Sequence, residues 1–149
     1  MYFESTINYW TDNPDGFKPP RIPVKRTILV RAYTYTEVEA ITTDWGSKET
    51  NEDFRISPIK ETDIIPVVGE GEKFFKVVSY YPEATPKGKV KMQKAVLMVK
   101  SDSDTEAIER TKLYFDFLSD INDLVIKSVT LTEIETYIAV SYTHLTLPT

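Results

Sequence analysis

Cysteine is absent from the 149-residue sequence, and histidine occurs once, at His144. Without cysteine, the chain has no disulfides, no thiolate nucleophile and no zinc site of the cysteine type. No stretch reaches the roughly 18 consecutive apolar residues of a transmembrane helix. The N-terminal sequence MYFESTINYW has no basic region followed by an apolar one, so it predicts no signal peptide. These absences favour a protein that makes no contact with a membrane.

Apolar residues make up 41% of the sequence and charged residues 28%, a balance typical of a soluble globular domain. A chain of this size buries roughly 68–70% of its unfolded surface, so we expect residues 1–139 to form a single domain. The formal net charge of −5 argues against a surface that binds nucleic acid everywhere, although a local basic patch could still do so.

The last ten residues, 140–149, read VSYTHLTLPT and resemble a translated sequencing adapter. The alternative is a native tail rich in β-forming residues. We favour the adapter and treat this segment as a non-native tail, which is excluded from fold reasoning. The native part would then contain neither histidine nor cysteine, because His144 lies in the tail. An unknown length of native C-terminal sequence would also be missing.

A buried strand followed by a capped helix is predicted twice, in residues 28–41 and 97–110. In each, an apolar triplet precedes one basic residue, and a hydroxyl residue with glutamate three positions later follows. This spacing fits a capping box, in which the hydroxyl accepts from an N–H of the first helical turn. The two capping pairs, related by an offset of 69 residues, are Thr34 with Glu37 and Ser103 with Glu106. Their recurrence predicts an internal duplication.

The repeat extends to both sides of these junctions. Residues 2–9 match 74–81 at an offset of 72, and residues 54–64 match 124–134 at an offset of 70. In the second pair, hydrophobic alternation breaks at the same place in each copy, which predicts a β-bulge there. The predicted bulges lie near Ser57 and Pro58, and near Lys127 and Ser128.

We therefore predict an α+β fold built from a duplicated ββαβ unit, with repeats at about residues 2–66 and 73–138. Two helices would pack on one face of a mainly antiparallel sheet. The predicted strands are 2–10, 24–32, 54–65, 74–81, 89–101 and 124–138, and the predicted helices are 35–45 and 104–118. Gly46 is predicted to end the first helix, and residues 67–72 to form a turn.

The sequence resembles a known family over about residues 2–136. The matching segments are YFESTINY, TILVRAYTYTEVEAI, FRISPIKET, KFFKVVSYY and AVLMVKSDSDTEAIE. They resemble the family called domain of unknown function 4494, found in gut anaerobes and their phages. The resemblance implies no assigned activity and carries no functional residue to these positions. It implies an origin in a phage or an integrated mobile element, and hence the cytoplasm of a bacterial host cell.

Enzymatic chemistry has little support in the sequence, which predicts no catalytic residues and no cofactor. Gly69-Glu70-Gly71 lacks the helix and the Lys-Ser/Thr pair of a phosphate-binding loop. The serines have no histidine base in the native part, and a lysine or aspartate substitute cannot be placed from sequence.

The best carboxylate cluster is Asp102, Asp104 and Glu106. Alternating carboxylates on a loop can bind Ca²⁺ or Mg²⁺. However, acids around a helix N-terminus are also stabilised by the helix dipole. We favour the second explanation and predict no metal site.

Two basic segments join the first two strands of each repeat. Such cations neutralise phosphates, and flanking aromatics such as Trp10 and Tyr81 can stack on bases. Alternatively, they are solvated hairpin edges, with lysine preventing edge-to-edge pairing. The first arm is defined as Lys18, Arg21, Lys25 and Arg26, and the second arm as Lys87, Lys89, Lys91 and Lys94.

The leading functional hypothesis is a non-enzymatic binding or accessory protein of a phage or mobile element, acting through a protein partner or through self-association. The alternative is a single-stranded nucleic-acid-binding protein that uses the two basic arms. An enzyme is the third and least favoured class.

Overall fold

The computed structural model describes residues 1–16, 18–118 and 123–140. The tail prediction, including His144, lies outside these residues except for Val140. The chain divides into two compact units. Unit 1 comprises Met1–Thr62 and the segment that begins at Ile134, and unit 2 comprises Asp63–Glu133.

The elements described here alternate between hairpins and helices. In chain order they are β1 (Tyr2–Asp12), β2 (Arg21–Arg31), α1 (Tyr35–Glu49), β3 (Phe54–Ile56), β4 (Lys60–Thr62), β5 (Ile65–Val67), β6 (Lys73–Ala84), β7 (Val90–Ser101), α2 (Asp104–Leu118), β8 (Val125–Leu131) and β9 (Ile134–Ala139). Neither helix has the length and apolarity needed to cross a membrane.

Unit 1 is a five-stranded sheet with α1 packed on one face. The strand order is β3–β1–β2–β9, and β4 also pairs with β1. All pairs are antiparallel except β2 with β9, which run parallel. The apolar triplet of β2 is fully buried, as its central position in the sheet requires. The core cluster consists of Phe3, Ile28, Val30, Ala32 and Val38.

Unit 2 has a four-stranded sheet with the order β5–β7–β6–β8 and α2 on one face. Here β5 and β7 are parallel, whereas β6 pairs antiparallel with both neighbours. The core cluster consists of Phe75, Val77, Leu97, Val99, Ala107 and Phe115. The α+β class is therefore confirmed, with a separate sheet and helix in each unit where we predicted one sheet under both helices. The duplication itself stays a prediction.

Both predicted helix caps are present. The Thr34 hydroxyl accepts a hydrogen bond from the Glu37 N–H at 3.2 Å. The Ser103 hydroxyl accepts from the Glu106 N–H, also at 3.2 Å. Each cap satisfies a backbone donor that the helix leaves without an internal partner. The bounds of α2 agree with the prediction.

Gly46 does not end α1, and that prediction is wrong. The helix continues to Glu49, and Gly46 is a buried residue within it. A Cβ atom at this position would lie 2.7 Å from the ring of Phe54. Gly46 therefore lets the strand residue Phe54 pack directly on the helix backbone, which is a packing role and not a terminating one.

Both predicted bulges are confirmed by the strand registers. On β1, Ile7 pairs with Ile56 but Glu4 pairs with Lys60, so the intervening segment contains one extra residue. On β6, the register with β8 shifts by one residue between Val78 and Ser79. An extra residue on one strand of an antiparallel pair defines a bulge, and it explains each break in hydrophobic alternation.

Three predictions about strands were wrong. Residues 54–65, predicted as one strand, contain β3 and β4 of unit 1 and the first residue of β5, which pairs in unit 2. Residues 124–138 form two strands in different sheets, because β8 pairs in unit 2 and β9 pairs in unit 1. Residues 67–72 were predicted as a turn, but Val67 ends the strand β5. This strand contains Pro66, which cannot donate to a ladder, and β5 accordingly lies at the edge of its sheet.

Candidate functional site

The turns of the two long hairpins place the ends of the basic arms at exposed positions. In the first turn, the Asn13 N–H donates to the Pro20 carbonyl at 2.9 Å. In the second, the Thr85 N–H donates to the Lys89 carbonyl at 2.7 Å, and Gly88 has a φ of 79°. Only glycine adopts this backbone conformation readily. Lys18, Lys87 and Lys89 all lie exposed at these turns.

The guanidinium of Arg26, in the first arm, is bound by carboxylates of the protein itself. Its Nη2 donates to Glu135 at 2.6 Å and to Glu49 at 3.1 Å, and its Nε donates to Glu135 at 2.8 Å. The guanidinium lies 5.1 Å from the centre of the Trp45 ring. The hydrogen bond with Glu135 raises the pKa of Arg26 above its ordinary value. Because Glu135 is on β9, this arginine joins β9 to β2 and is not available to a phosphate.

Arg21 is also engaged, although less fully. Its Nη2 donates to the Trp10 carbonyl at 2.8 Å and to Glu52 at 3.0 Å, and its Nη1 lies 3.6 Å from Asp12. Two carboxylates already neutralise it, so a phosphate would have to displace at least one of them. The arginines of the first arm are therefore weaker phosphate ligands than the sequence predicted.

The lysines of both arms have no such partners. They are exposed, and none forms an ion pair within the described part of the chain. These six are Lys18, Lys25, Lys87, Lys89, Lys91 and Lys94. They are the cations of the predicted arms that remain available to an anionic ligand.

The register of unit 1 places three of the site side chains on one face of the sheet. Core residues Phe3, Ile28 and Val30 point toward α1. On each strand, the residues that alternate with these core positions point to the other side of the sheet, here called the helix-free face. Asn8 is opposite Lys25 on β2 and opposite Arg55 on β3. These three residues therefore form a row across the sheet, with side chains about 5 Å apart.

The next row of the helix-free face contains Trp10 and Pro23, which are also cross-strand partners. Trp10 is 58% exposed, which is unusual for so large an apolar side chain. An open groove of about 570 Å³ lies over these two rows. Its lining residues are Asn8, Tyr9, Trp10, Pro23, Val24, Lys25, Asp53, Phe54 and Arg55. We call Trp10, Lys25 and Arg55 the tryptophan site.

Arg55 was missed by the sequence analysis. It lies between Phe54 and Ile56 in an alternating strand, which already predicts that it points away from the core. The missing information was the pairing of β3 with β1, which connects residues separated by more than forty positions in the chain. Only this pairing brings Arg55 next to Asn8, in the row beside Trp10.

Tyr81 does not lie on the corresponding face of unit 2. Its ring packs against Phe115 of α2, with 5.6 Å between ring centres, so it belongs to the core side. The neighbouring Tyr80 is on the helix-free face, opposite Lys94. The Lys127 ammonium lies 5.8 Å from the centre of the Tyr80 ring. Unit 2 thus places one aromatic ring and two lysines on its helix-free face, and that ring belongs to Tyr80 and not to Tyr81.

The acidic cluster at the start of α2 makes contacts within the protein. An Asp102 oxygen accepts from the Glu72 N–H at 3.0 Å, and an Asp104 oxygen accepts from the Thr105 N–H at 2.8 Å. Glu106 forms an ion pair with Arg110. No group of three potential metal ligands occurs among the residues described. These contacts are the capping and turn roles that acids take near a helix N-terminus.

No curated protein and no solved structure matches the chain. The model of the family described as Domain of unknown function (DUF4494) matches residues 1–140. This match spans both units, from the first residue to the end of β9. The chain therefore belongs to the DUF4494 family.

Proposed function

We propose that this protein is a non-catalytic binding protein that holds single-stranded nucleic acid at the tryptophan site, on the exposed part of the helix-free face of unit 1. The observation that carries the proposal is the tryptophan site. Trp10 is 58% exposed, and its neighbours in the sheet register include Lys25 and Arg55, two cations without an ion pair among the described residues. Aromatic faces stack on bases of any sequence, and adjacent cations neutralise the phosphates between them.

A single strand fits this surface better than a duplex. The indole can stack only on a base that is already unstacked, whereas a duplex hides its base faces. The net charge of −5 also disfavours broad contact with a duplex backbone. We therefore expect a local, strongly salt-dependent interaction.

The biological setting is part of the same proposal. The resemblance to sequences from gut anaerobes and their phages supports an origin in a phage or mobile element. Such elements expose single-stranded DNA or RNA during replication and expression in the host cytoplasm. An accessory protein that covers these strands needs no catalytic group.

Binding should be tested by fluorescence anisotropy with a labelled oligothymidine of about 15 nucleotides, a length in the range of known single-strand sites. We expect Trp10→Ala to weaken binding by about 5- to 150-fold, the equivalent of roughly 1–3 kcal/mol for one stacked base. Lys25→Glu should also weaken binding and flatten its dependence on salt concentration.

Lys48→Glu is the matched control for Lys25→Glu. It changes the net charge by the same amount, but Lys48 lies on α1 with a 3.0 Å ion pair to Asp44. We expect its affinity for the oligothymidine to stay close to that of the wild type. The absence of binding at low salt, or equal losses for Lys25→Glu and Lys48→Glu, would refute the proposal.

A further inference from the structure

The exposed side of α2 carries an apolar surface that the fold does not require. Leu113 is 67% exposed and Phe117 is 91% exposed, and they are one helical turn apart. Val68, the residue after β5, is 70% exposed and lies beside them. A shallow groove of about 340 Å³ runs between the helix and this segment. We call Val68, Leu113 and Phe117 the α2 patch.

The equivalent side of α1 shows what this position looks like when it faces water. At the offset of 69 residues, Leu113 corresponds to Asp44 and Phe117 corresponds to Lys48. These two form an ion pair at 3.0 Å, with both side chains exposed. The same helix position therefore tolerates charge in unit 1. Large exposed apolar residues at this position in unit 2 indicate an interaction surface.

The charges beside the α2 patch favour a second copy of the chain as its partner. Lys112 and Asp116 are exposed on one flank of Leu113 and Phe117, also one helical turn apart. In a symmetric antiparallel pair of α2 helices, Leu113 of one copy would meet Phe117 of the other. The same two-fold axis would place each Lys112 beside the Asp116 of the second copy. The patch is thus complementary to itself in both apolar surface and charge.

We propose that the α2 patch is a homodimer interface, in which two copies of the chain pair their α2 helices antiparallel. The few side chains involved bury little area, so the dimer is weak and depends on concentration. This proposal does not depend on nucleic-acid binding, because the tryptophan site lies on different elements.

Sedimentation velocity of the full chain, from about 1 µM to about 1 mM, should show a monomer–dimer equilibrium. Phe117→Asp should abolish the dimer. Val90→Asp is the matched control, because Val90 is 70% exposed but lies on β7. It should leave the dimer intact, and circular dichroism should show that both variants are folded.

Exchanging the charges of Lys112 and Asp116 distinguishes a homodimer interface from a surface that binds a different protein. Lys112→Asp places like charges together at both ends of the interface, and so does Asp116→Lys, so each should weaken the dimer at least several-fold. The combined variant restores opposite charges and should recover it. A chain that stays monomeric at all concentrations, or a swap that fails to recover the dimer, would overturn the proposal.

Discussion

Units 1 and 2 share a strand order but fill equivalent positions with different chemistry. At the offset of 69 residues, Gly46 of α1 corresponds to Phe115 of α2. In unit 1, the ring of the strand residue Phe54 covers the glycine. In unit 2, the helix itself supplies the ring, and Leu124, just before β8, matches Phe54 at the offset of 70 residues. The aromatic ring is thus on a strand in unit 1 and on the helix in unit 2, and in both units it fills the space between helix and sheet.

What the units share is equally informative. Thr42 and Thr111 are also related by 69 residues, and both are fully buried. Each hydroxyl donates to the carbonyl one turn earlier, at 2.7 Å from Thr42 and 2.8 Å from Thr111. Caps, buried threonines and bulges recur because they satisfy the backbone or fix register. Other differences lie on exposed surfaces, where the tryptophan site belongs to unit 1 and the α2 patch to unit 2.

The largest effect should come from Phe115→Ala, which removes the ring that unit 2 carries on its helix. Phe115 is 4% exposed and packs against Tyr81 and Tyr114. The lost burial and the cavity should reduce the free energy of unfolding by about 3–5 kcal/mol. Phe117→Ala on the same helix is the control: Phe117 is 91% exposed, so the change should stay within about 0.5 kcal/mol. Urea denaturation followed by circular dichroism measures both, and equal losses would contradict the assignment of Phe115 to the core.

Gly46→Ala tests whether the ring of Phe54 in unit 1 requires a glycine on the helix beneath it. Alanine favours a helix over glycine by about 1 kcal/mol. However, its Cβ would lie 2.7 Å from the Phe54 ring. We expect a net loss of about 1–3 kcal/mol from overpacking. In a Phe54→Leu background, which imitates the strand of unit 2, the same substitution should be neutral or stabilising. A stabilising Gly46→Ala in the wild type would show that the ring moves aside at little cost.

The sequence predicted those features that depend on neighbouring residues. The caps at Thr34 and Ser103 follow from spacing along one segment, and the bulges follow from broken alternation within one strand. Features that depend on distant pairing were missed. The assignment of β9 to the first sheet needs a contact between Thr27 and Ile134, and the position of Arg55 needs the pairing of β3 with β1.

The candidate site was predicted in part for the same reason. Composition identified the exposed lysines and Trp10, because charge and aromatic content can be read from the sequence. The sequence did not show which arginines form ion pairs with carboxylates of the same chain. Arg26 meets Glu135 only through the folding of β9 onto β2, across 109 positions in the chain. Tyr80 and Tyr81 are adjacent on β6, so one of them must face α2 and the other must point away from it. The sequence does not tell which of the two faces the helix.

The smallest expected effect concerns Tyr137 on β9, where the parallel strand of unit 2 has Pro66 at the corresponding place. Burial, the largest cause, and the nearby Tyr2 raise the pKa of Tyr137 above its ordinary value, while Arg31 opposes the rise. A pKa that is higher in the folded state means that the unfolded chain loses this proton first. The contribution of Tyr137 to stability is therefore complete below about pH 10 and is lost as the pH rises through the folded pKa.

Tyr137→Phe should accordingly make the free energy of unfolding fall less steeply above about pH 10 than in the wild type. Tyr35→Phe is the matched control, because it removes a hydroxyl from a side chain that is 51% exposed. Stability measured by urea denaturation across the alkaline range should separate the two variants. If both follow the wild-type curve, the ionisation of Tyr137 does not limit the docking of β9.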